Sequence, residues 1–219
     1  QKWILMRKEH SILVFNETIT EGKPYKILGS ATGEGAIPGN TVLSIAVDLD
    51  GEIWIGTDAG VAVFYSPDAV FSGNNFDAQR ILVEQGGYVQ YLLENESVTA
   101  ITVDGANRKW IGTDKAGVFL LSADGTQQIY HFTEDNSPLL SNSIADIALG
   151  KDGEVFIGTS LGIVGFRGDS PSPGTIPTEV YAFPNPVRPS YDGPIGISGL
   201  PQNADVKITT ISGKLVYHT

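Results

Sequence analysis

The acidic residues after one predicted strand could bind a hard cation. Asp48, Asp50 and Glu52 place carboxylates at alternate positions, an arrangement that suits Ca²⁺. A complete calcium loop needs further acidic positions and a terminal Glu, and the corresponding segments at Asp104 and Gly150 do not keep the pattern. We therefore predict a tight turn in which the Asp side chains accept hydrogen bonds from nearby backbone N–H groups.

Zinc chemistry would need the three histidines of the chain to converge. His10, His131 and His218 lie in different predicted elements. The chain contains no Cys, which excludes thiolate catalysis, disulfides and Cys-ligated zinc. It also has no phosphate-binding Gly-Lys loop and no nucleophile elbow. We therefore predict neither a metal nor a cofactor.

Repeated threonines and aromatic residues are the remaining candidates for chemistry. Thr57, Thr113 and Thr159 end predicted strands, and no base lies at a fixed offset from them, so they are not predicted nucleophiles. The aromatic residues could form a platform for sugar rings, but an aromatic side chain in the same strand of every copy favours packing between neighbouring copies. We predict no catalytic residue, and the sequence assigns no ligand-binding residue. The repeated aromatic residues are Trp3, Trp54, Trp110 and Phe156.

The charge of the chain limits its partners. It has 14 Lys plus Arg against 25 Asp plus Glu, which gives a formal net charge of −11. This excludes nucleic acid as a partner, because phosphate binding needs clustered Lys and Arg on one face. An anionic glycan would need locally basic residues or a bridging cation.

A sequence pattern that occurs in three copies must position these residues. In each copy, the first apolar residue of a strand-like run lies 12 positions before the aromatic residue, which Ile-Gly-Thr follows. A third strand and, in two copies, a fourth strand at Arg80 to Val83 and at Gln128 to Phe132 are predicted after it. Intervals of 46 and 56 residues between the aromatic residues are typical of propeller blades. The copies comprise Val42 to Phe64, Val98 to Leu121 and Ile144 to Phe166.

Glycines mark the turns and one strand position of each copy. Asp50-Gly51 and Asp152-Gly153 predict two-residue hairpins, and Ala106-Asn107 predicts a looser turn. Glycine also recurs within the second strand, where the missing Cβ permits close approach of another chain segment or a bend. These glycines are Gly56, Gly112 and Gly158.

The predicted fold is all-β: a partial β-propeller of about three and a half four-stranded blades, followed by part of an Ig-like β-sandwich. The blades take residues 1–166, a Pro/Ser/Gly linker takes 167–177 and the sandwich takes 178–219. Trp3-Ile-Leu and Ser11 to Phe15 predict the second and third strands of an earlier blade. The insertion Phe71 to Leu93 is predicted to form a surface loop or hairpin.

A closed propeller normally has at least four blades. We therefore expect the chain to be part of a longer protein, with the outer strand of its last blade supplied from elsewhere. Asp146 is expected to point from an innermost strand into the central channel.

The repeat resembles a known family. Its pattern apolar-x-x-Asp-x-Asp-Gly-x-Ile-Trp-Ile-Gly-Thr-Asp-x-Gly-Val is similar to the two-component-regulator propeller repeat of Bacteroidetes. In the tail, Tyr181-Ala-Phe-Pro-Asn-Pro-Val187 and Ser212-Gly-Lys-Leu-Val216 resemble the C-terminal sorting domain of type IX secretion substrates. Together they resemble the PorZ-type propeller components of that secretion system.

The resemblance implies export to the periplasm or cell surface. It implies a non-catalytic binding module that helps to attach secreted cargo by recognising a glycan such as lipopolysaccharide, or a partner protein, with other type IX secretion components as partners. Two alternatives remain: a periplasmic ligand-sensing propeller of a hybrid two-component sensor, and a propeller polysaccharide hydrolase or lyase.

Overall fold

The structure is a computed structural model that describes residues 1–6, 11–73, 75–85, 87–151, 153–167, 180–200, 204, 206–210 and 214–218. Regular structure in these residues consists of β-strands and one short 3₁₀ helix, Pro67–Phe71. The strands form small antiparallel sheets rather than one continuous sheet.

Four of these sheets follow one another along the chain and form blades, in each of which the spatial order of strands is the chain order. This meander is the topology of a propeller blade, so the predicted all-β propeller is confirmed. Blade 1 contains β1 (Lys2–Met6), β2 (Ser11–Phe15) and β3 (Tyr25–Leu28). Blade 2 contains β4 (Val42–Val47), β5 (Ile53–Thr57), β6 (Gly60–Phe64) and β7 (Gln79–Arg80). A separate hairpin, here called the insertion hairpin, contains β8 (Leu82–Gln85) and β9 (Tyr88–Tyr91).

The remaining blades have the same order. Blade 3 contains β10 (Val98–Val103), β11 (Lys109–Thr113), β12 (Val118–Leu121) and β13 (Gln128–Phe132). Blade 4 contains β14 (Ile144–Leu149), β15 (Glu154–Thr159) and β16 (Gly162–Arg167). Its last strand includes Arg167, where the linker was expected to begin.

The fourth strand of blade 2 differs from its prediction. A strand was expected over Arg80 to Val83, but β7 pairs with β6 only through Ala62 and Val63. From Leu82 onward the chain forms the insertion hairpin, as predicted for the insertion. Ile81, between the two, is buried in the core between blades 2 and 3. The burial of this side chain fixes the point at which the chain leaves the sheet.

The turn between the first two strands of a blade is one residue longer than predicted, and it is the same in blades 2 and 3. Asp48 N donates to Glu52 O (3.0 Å) and Gly51 N donates to Asp48 O (3.2 Å), so the loop has three residues rather than two. Gly51 has a φ of 82°, as the last residue of such a loop requires. Asn107 takes this position in blade 3 with a φ of 60° and the same two backbone bonds form there. The turn of blade 3 is therefore not looser, because Asn tolerates the left-handed region.

Neighbouring blades approach most closely at the glycine of the second strand. A Cβ added to Gly56 would lie 2.5 Å from Val98 Cγ1 of the next blade, and one added to Gly112 would lie 2.5 Å from Ile144 Cγ2. Real Cβ atoms do not approach this closely, so a side chain at either position would push the blades apart. The predicted close approach is confirmed at Gly56 and Gly112 but is wrong at Gly158, where an added Cβ would come no nearer than 3.5 Å to another atom.

Apolar side chains fill the space between successive blades in three clusters. Trp54 is fully buried between blades 2 and 3, and Trp110 is 1% exposed between blades 3 and 4. Trp3 packs on Phe64 with ring centroids 5.0 Å apart. The predicted packing role of these tryptophans is confirmed. The prediction is wrong for Phe156, the equivalent residue of blade 4, because its side chain is 43% exposed.

The tail contains two separate strand pairs. One pair is β17 (Tyr181–Phe183) with β18 (Gly196–Ser198), and the other is β19 (Lys207–Thr209) with β20 (Leu215–His218). The Ig-like sandwich stays a prediction. Residues 168–177 of the predicted linker lie outside the described residues.

Replacing Gly112 by Ala tests the close approach of the blades. The new methyl group would meet Ile144 Cγ2 at 2.5 Å, and overpacking of this kind costs about 1–3 kcal/mol. We expect the free energy of unfolding of the chain, measured by urea titration, to fall by that amount.

Gly158→Ala is the matched control, because its added Cβ would lie no nearer than 3.5 Å to the atoms around it. We expect a change within about 1 kcal/mol for this variant. Equal destabilisation by both substitutions would contradict the packing account.

Candidate functional site

The acidic segment that could have formed a calcium loop forms a hydrogen-bonded turn. Asp48 Oδ1 accepts bonds from the backbone N–H of Asp50 (3.0 Å) and Glu52 (2.9 Å). Asp48 Oδ2 accepts a bond from Trp54 Nε1 at 3.2 Å. The predicted turn chemistry is confirmed, and the carboxylate is directed to groups of the protein itself.

A lysine of the next blade completes this arrangement. Lys109 is fully buried, and its Nζ lies 2.9 Å from Asp48 Oδ2 and 4.6 Å from the centroid of the Trp54 ring. The same Nζ also donates to the carbonyl oxygens of Asn107 (2.8 Å) and Ala123 (2.6 Å). Because its charge and its N–H groups have partners, the buried ammonium can be tolerated. It joins blade 3 to blade 2.

Asp104 has the same role in blade 3 as Asp48 has in blade 2. The sequence did not lead us to predict this. Its Oδ1 accepts from the backbone N–H of Ala106 and Arg108, each at 3.0 Å, and its Oδ2 accepts from Trp110 Nε1 at 3.3 Å. Arg108 Nε supplies the cation at 2.7 Å. The spacing of six residues between Asp and Trp was the signal that could have revealed it.

Blade 4 lacks both members of the Asp–Trp pair. Gly150 stands where the other blades have Asp, and Phe156 stands where they have Trp. A phenyl ring has no N–H to donate, so no acceptor is needed six residues earlier. The Asp side chains therefore serve the indoles and turns of their own blades.

The repeated threonines are structural. The hydroxyl groups of Thr57, Thr113 and Thr159 donate to the carbonyl oxygens of Gly60, Gly117 and Gly162 at 2.9–3.0 Å. Each hydroxyl also accepts a backbone N–H from the same turn. These bonds close the turn between the second and third strands of each blade.

Of the three histidines, His131 is the one whose side chain is described. Its Nε2 lies 2.7 Å from Ala116 O, and its ring stacks on Phe119 with centroids 4.0 Å apart. His10 and the side chain of His218 lie outside the described residues. Within the described ranges, no three His, Asp or Glu side chains lie close enough to hold a metal ion.

The first candidate binding site is the central channel. A cavity of about 700 Å³ lies among the innermost strands β4, β10 and β14 and is bordered by β1. Seven of the ten residues that line it are apolar in type, and the Ser44 and Thr99 hydroxyls donate to backbone carbonyl oxygens of the protein. Asp146 is exposed in this lining, as expected, and supplies the one charged side chain among the described residues that line it.

The second candidate site is a groove beside the insertion hairpin. It has a volume of about 490 Å³ and lies between this hairpin, the segment 92–96 and the outer strands of blade 3. We call it the hairpin groove. The sequence predicted the insertion but not the groove, because the groove depends on how the hairpin folds against the neighbouring blade.

The repeat and the fold define the class of this protein. The family model described as two component regulator propeller matches residues 36–59. The extracellular domain of a hybrid two-component system protein of B. thetaiotaomicron has a TM-score of 0.51 at 20% identity, over 76% of this chain and 20% of that chain, which supports the fold. The chain is a β-propeller that carries the two-component-regulator propeller repeat.

A solved structure makes the likeness more specific. The chain is 34% identical to PorZ, described as an essential bacterial surface component of the type IX secretion system of Porphyromonas gingivalis, with a TM-score of 0.64. The match covers 95% of this chain and 29% of the PorZ chain. The PorZ-type resemblance predicted from the sequence is confirmed.

Two further comparisons complete these findings. A search of curated proteins gives no match. Among the described residues, no helix has the length and apolar character needed to cross a membrane.

Asp48→Asn tests the buried ion pair. This substitution leaves the Lys109 ammonium buried without a negative partner, and breaking a buried pair in this way costs about 3–5 kcal/mol. We expect urea denaturation at pH 7 to show a loss of that size. Asp135→Asn is the control, because Asp135 is exposed and its change is expected to stay within about 0.5 kcal/mol. A similar loss for both would contradict the account.

The same pair predicts a pH dependence. Burial raises the pKa of Asp48, but hydrogen bonds from Lys109 and the backbone, with the Lys109 charge, outweigh burial and hold it below 3.8. The carboxylate therefore stabilises the fold fully above that value, and the contribution is lost as the pH falls through the lowered pKa. We expect the unfolding free energies of wild type and Asp48→Asn to converge on acidification below about pH 4. A constant difference between them down to pH 2 would contradict this assignment.

Proposed function

We propose that this chain is part of a non-catalytic surface binding module of a PorZ-like type IX secretion component. The module would help to attach secreted cargo to the cell surface. The observation that carries the proposal is 34% identity to PorZ over 95% of the chain. A match of that extent takes in most of the blades and most of the tail. The proposed location is the cell surface or the periplasm.

The side chains of the propeller support binding rather than catalysis. Hydrolysis of a glycoside generally uses two carboxyl groups on either side of the scissile bond. The described lining of the channel offers one, Asp146. The repeated threonine hydroxyls are engaged in turns, so they are not positioned as nucleophiles.

The proposed ligand is a surface glycan such as lipopolysaccharide, or a partner protein. The net charge of −11 disfavours an anionic glycan wherever basic residues are not clustered. Glu84, Glu94 and Glu96 line the hairpin groove, so this side of the molecule favours a partner protein. Other type IX secretion components are the proposed partners.

Deletion of the parent gene in its native bacterium tests the proposed role. We expect type IX cargo to lose its attachment, so that the fraction of cargo on washed cells falls several-fold and cargo accumulates in the medium. A plasmid copy of the gene should restore attachment, and so should a copy with the exposed substitution Asp50→Asn.

Two results would contradict the proposal. Normal cargo attachment with altered transcription in response to oligosaccharides would favour a sensor. Release of reducing ends from a panel of polysaccharides by the purified full-length protein would favour an enzyme.

A further inference from the structure

The hairpin groove exists because blade 2 ends early. The fourth strand of blade 3, β13, has five residues, whereas β7 of blade 2 has two. The chain leaves blade 2 at the buried Ile81 and returns at Leu92, whose N–H donates to Ile81 O at 2.8 Å. Blade 2 therefore has no long fourth strand to cover the outer part of blade 3. The face of blade 3 that is directed toward blade 2 stays open there.

Side chains of β12 and β13 meet on this uncovered face. Phe119 pairs with His131 and Leu121 pairs with Gln128, with a register shift at Leu120/Leu121. The extra residue of the bulge brings Gln128 and His131, which are three positions apart, to the same face of the sheet. All four side chains line the groove. One wall of the groove is therefore formed by paired β-strands and not by loops.

The groove combines an apolar floor with a negative rim. Leu92, Phe119 and Leu121 are buried beneath it, while Glu84 is exposed and Glu94 and Glu96 are partly exposed. Among the described lining residues there is no Lys or Arg.

An arginine beside the groove is already engaged by the protein. Arg80 stacks on Tyr91 at 3.9 Å from the ring centroid. It also donates to Ala59 O at 3.1 Å and lies 3.9 Å from Glu94. Its positive charge offsets part of the negative charge of Glu94. The three glutamates therefore leave the rim with a net negative charge.

The insertion hairpin carries exposed apolar side chains on both of its faces, because Tyr88 and Val89 are neighbours in one strand. Tyr88 is 78% exposed, Val89 is 69% exposed and Leu82 is 57% exposed. Clustered exposed apolar side chains beside a groove are typical of protein interaction sites. Groove and hairpin together present apolar surface next to negative charge.

We propose that the hairpin groove binds a segment of a partner protein that carries Lys or Arg next to apolar side chains. The apolar side chains would pack on Val83 and Leu93, which are partly exposed in the groove lining, and the basic side chains would reach the three glutamates of the rim. This inference deepens the proposed binding function, on which it rests, by naming a partner class. An anionic polysaccharide does not fit the groove, because it would place negative charge against Glu84, Glu94 and Glu96.

Fluorescence anisotropy with defined peptides tests the inference on the full-length protein. The probe is a labelled peptide of sequence Lys-Val-Lys-Leu-Arg-Val-Lys-Leu-Lys. Two comparison peptides replace either all basic residues by Glu or all apolar residues by Ser. We expect binding of the probe that weakens at least tenfold between 50 and 500 mM salt, and at least tenfold weaker binding of both comparison peptides.

Paired variants locate the binding. Glu84→Gln/Glu94→Gln/Glu96→Gln should weaken binding of the probe at least tenfold. The control Glu17→Gln/Glu21→Gln/Glu34→Gln changes the net charge equally at exposed positions of the chain far from the groove in sequence and should leave affinity within twofold. Gln128→Trp should block the groove, whereas the adjacent Gln127→Trp, whose side chain does not line it, should not.

Four outcomes would overturn the inference, of which three are positive results. They are equal binding of the Ser-containing peptide, equal effects of the two glutamate triple variants, and direct binding of labelled lipopolysaccharide, without the probe, that Gln128→Trp abolishes. Absence of probe binding would also overturn it. The assay contains no cargo and no living cells, so its failure would not contradict the proposed role in attachment. Conversely, a failed attachment experiment would not change a measured peptide affinity.

Discussion

The close packing of each blade on the next is the constraint on which the rest of the structure depends. At Gly56 and Gly112 the neighbouring blade comes within 2.5 Å of where a Cβ would stand. A tryptophan beside each glycine fills the space between the sheets. The innermost strands can therefore lie together around the channel cavity, and the hairpin groove can form where the outer strand of blade 2 is short.

Hydrogen bonds and ion pairs of the described aspartates stabilise the same packing of the blades. Asp48 and Asp104 each bind two backbone N–H groups and the indole of a tryptophan six residues later. Burial of an indole requires a partner for its N–H, and blade 4, with Phe156, has no such aspartate. Lys109 extends the arrangement across a blade boundary. The most conspicuous carboxylates of the sequence are thus used to hold the fold together.

The repeat allowed the blades to be predicted, because the distance of 12 residues and the Gly-Thr after each aromatic residue are local features. The alternation of apolar and polar residues also allowed β13 and the insertion hairpin to be predicted. The short β7 did not, because it depends on the burial of Ile81 against blade 3. The hairpin groove was missed for the same reason: its walls come from segments that are distant in sequence. The three-residue turns were missed because Asp-Gly fits both loop lengths.

The proposed binding through the hairpin groove would let an acidic propeller recognise a basic segment of a partner protein. The most direct test is photocrosslinking in growing cells from a benzoylphenylalanine placed at position 128 of the full-length protein, with position 127 as the comparison. The account predicts adducts at position 128 alone, joined to a Lys- or Arg-bearing segment of a type IX secretion component. Adducts with polysaccharide, equal adducts at both positions, or none at either position would contradict it.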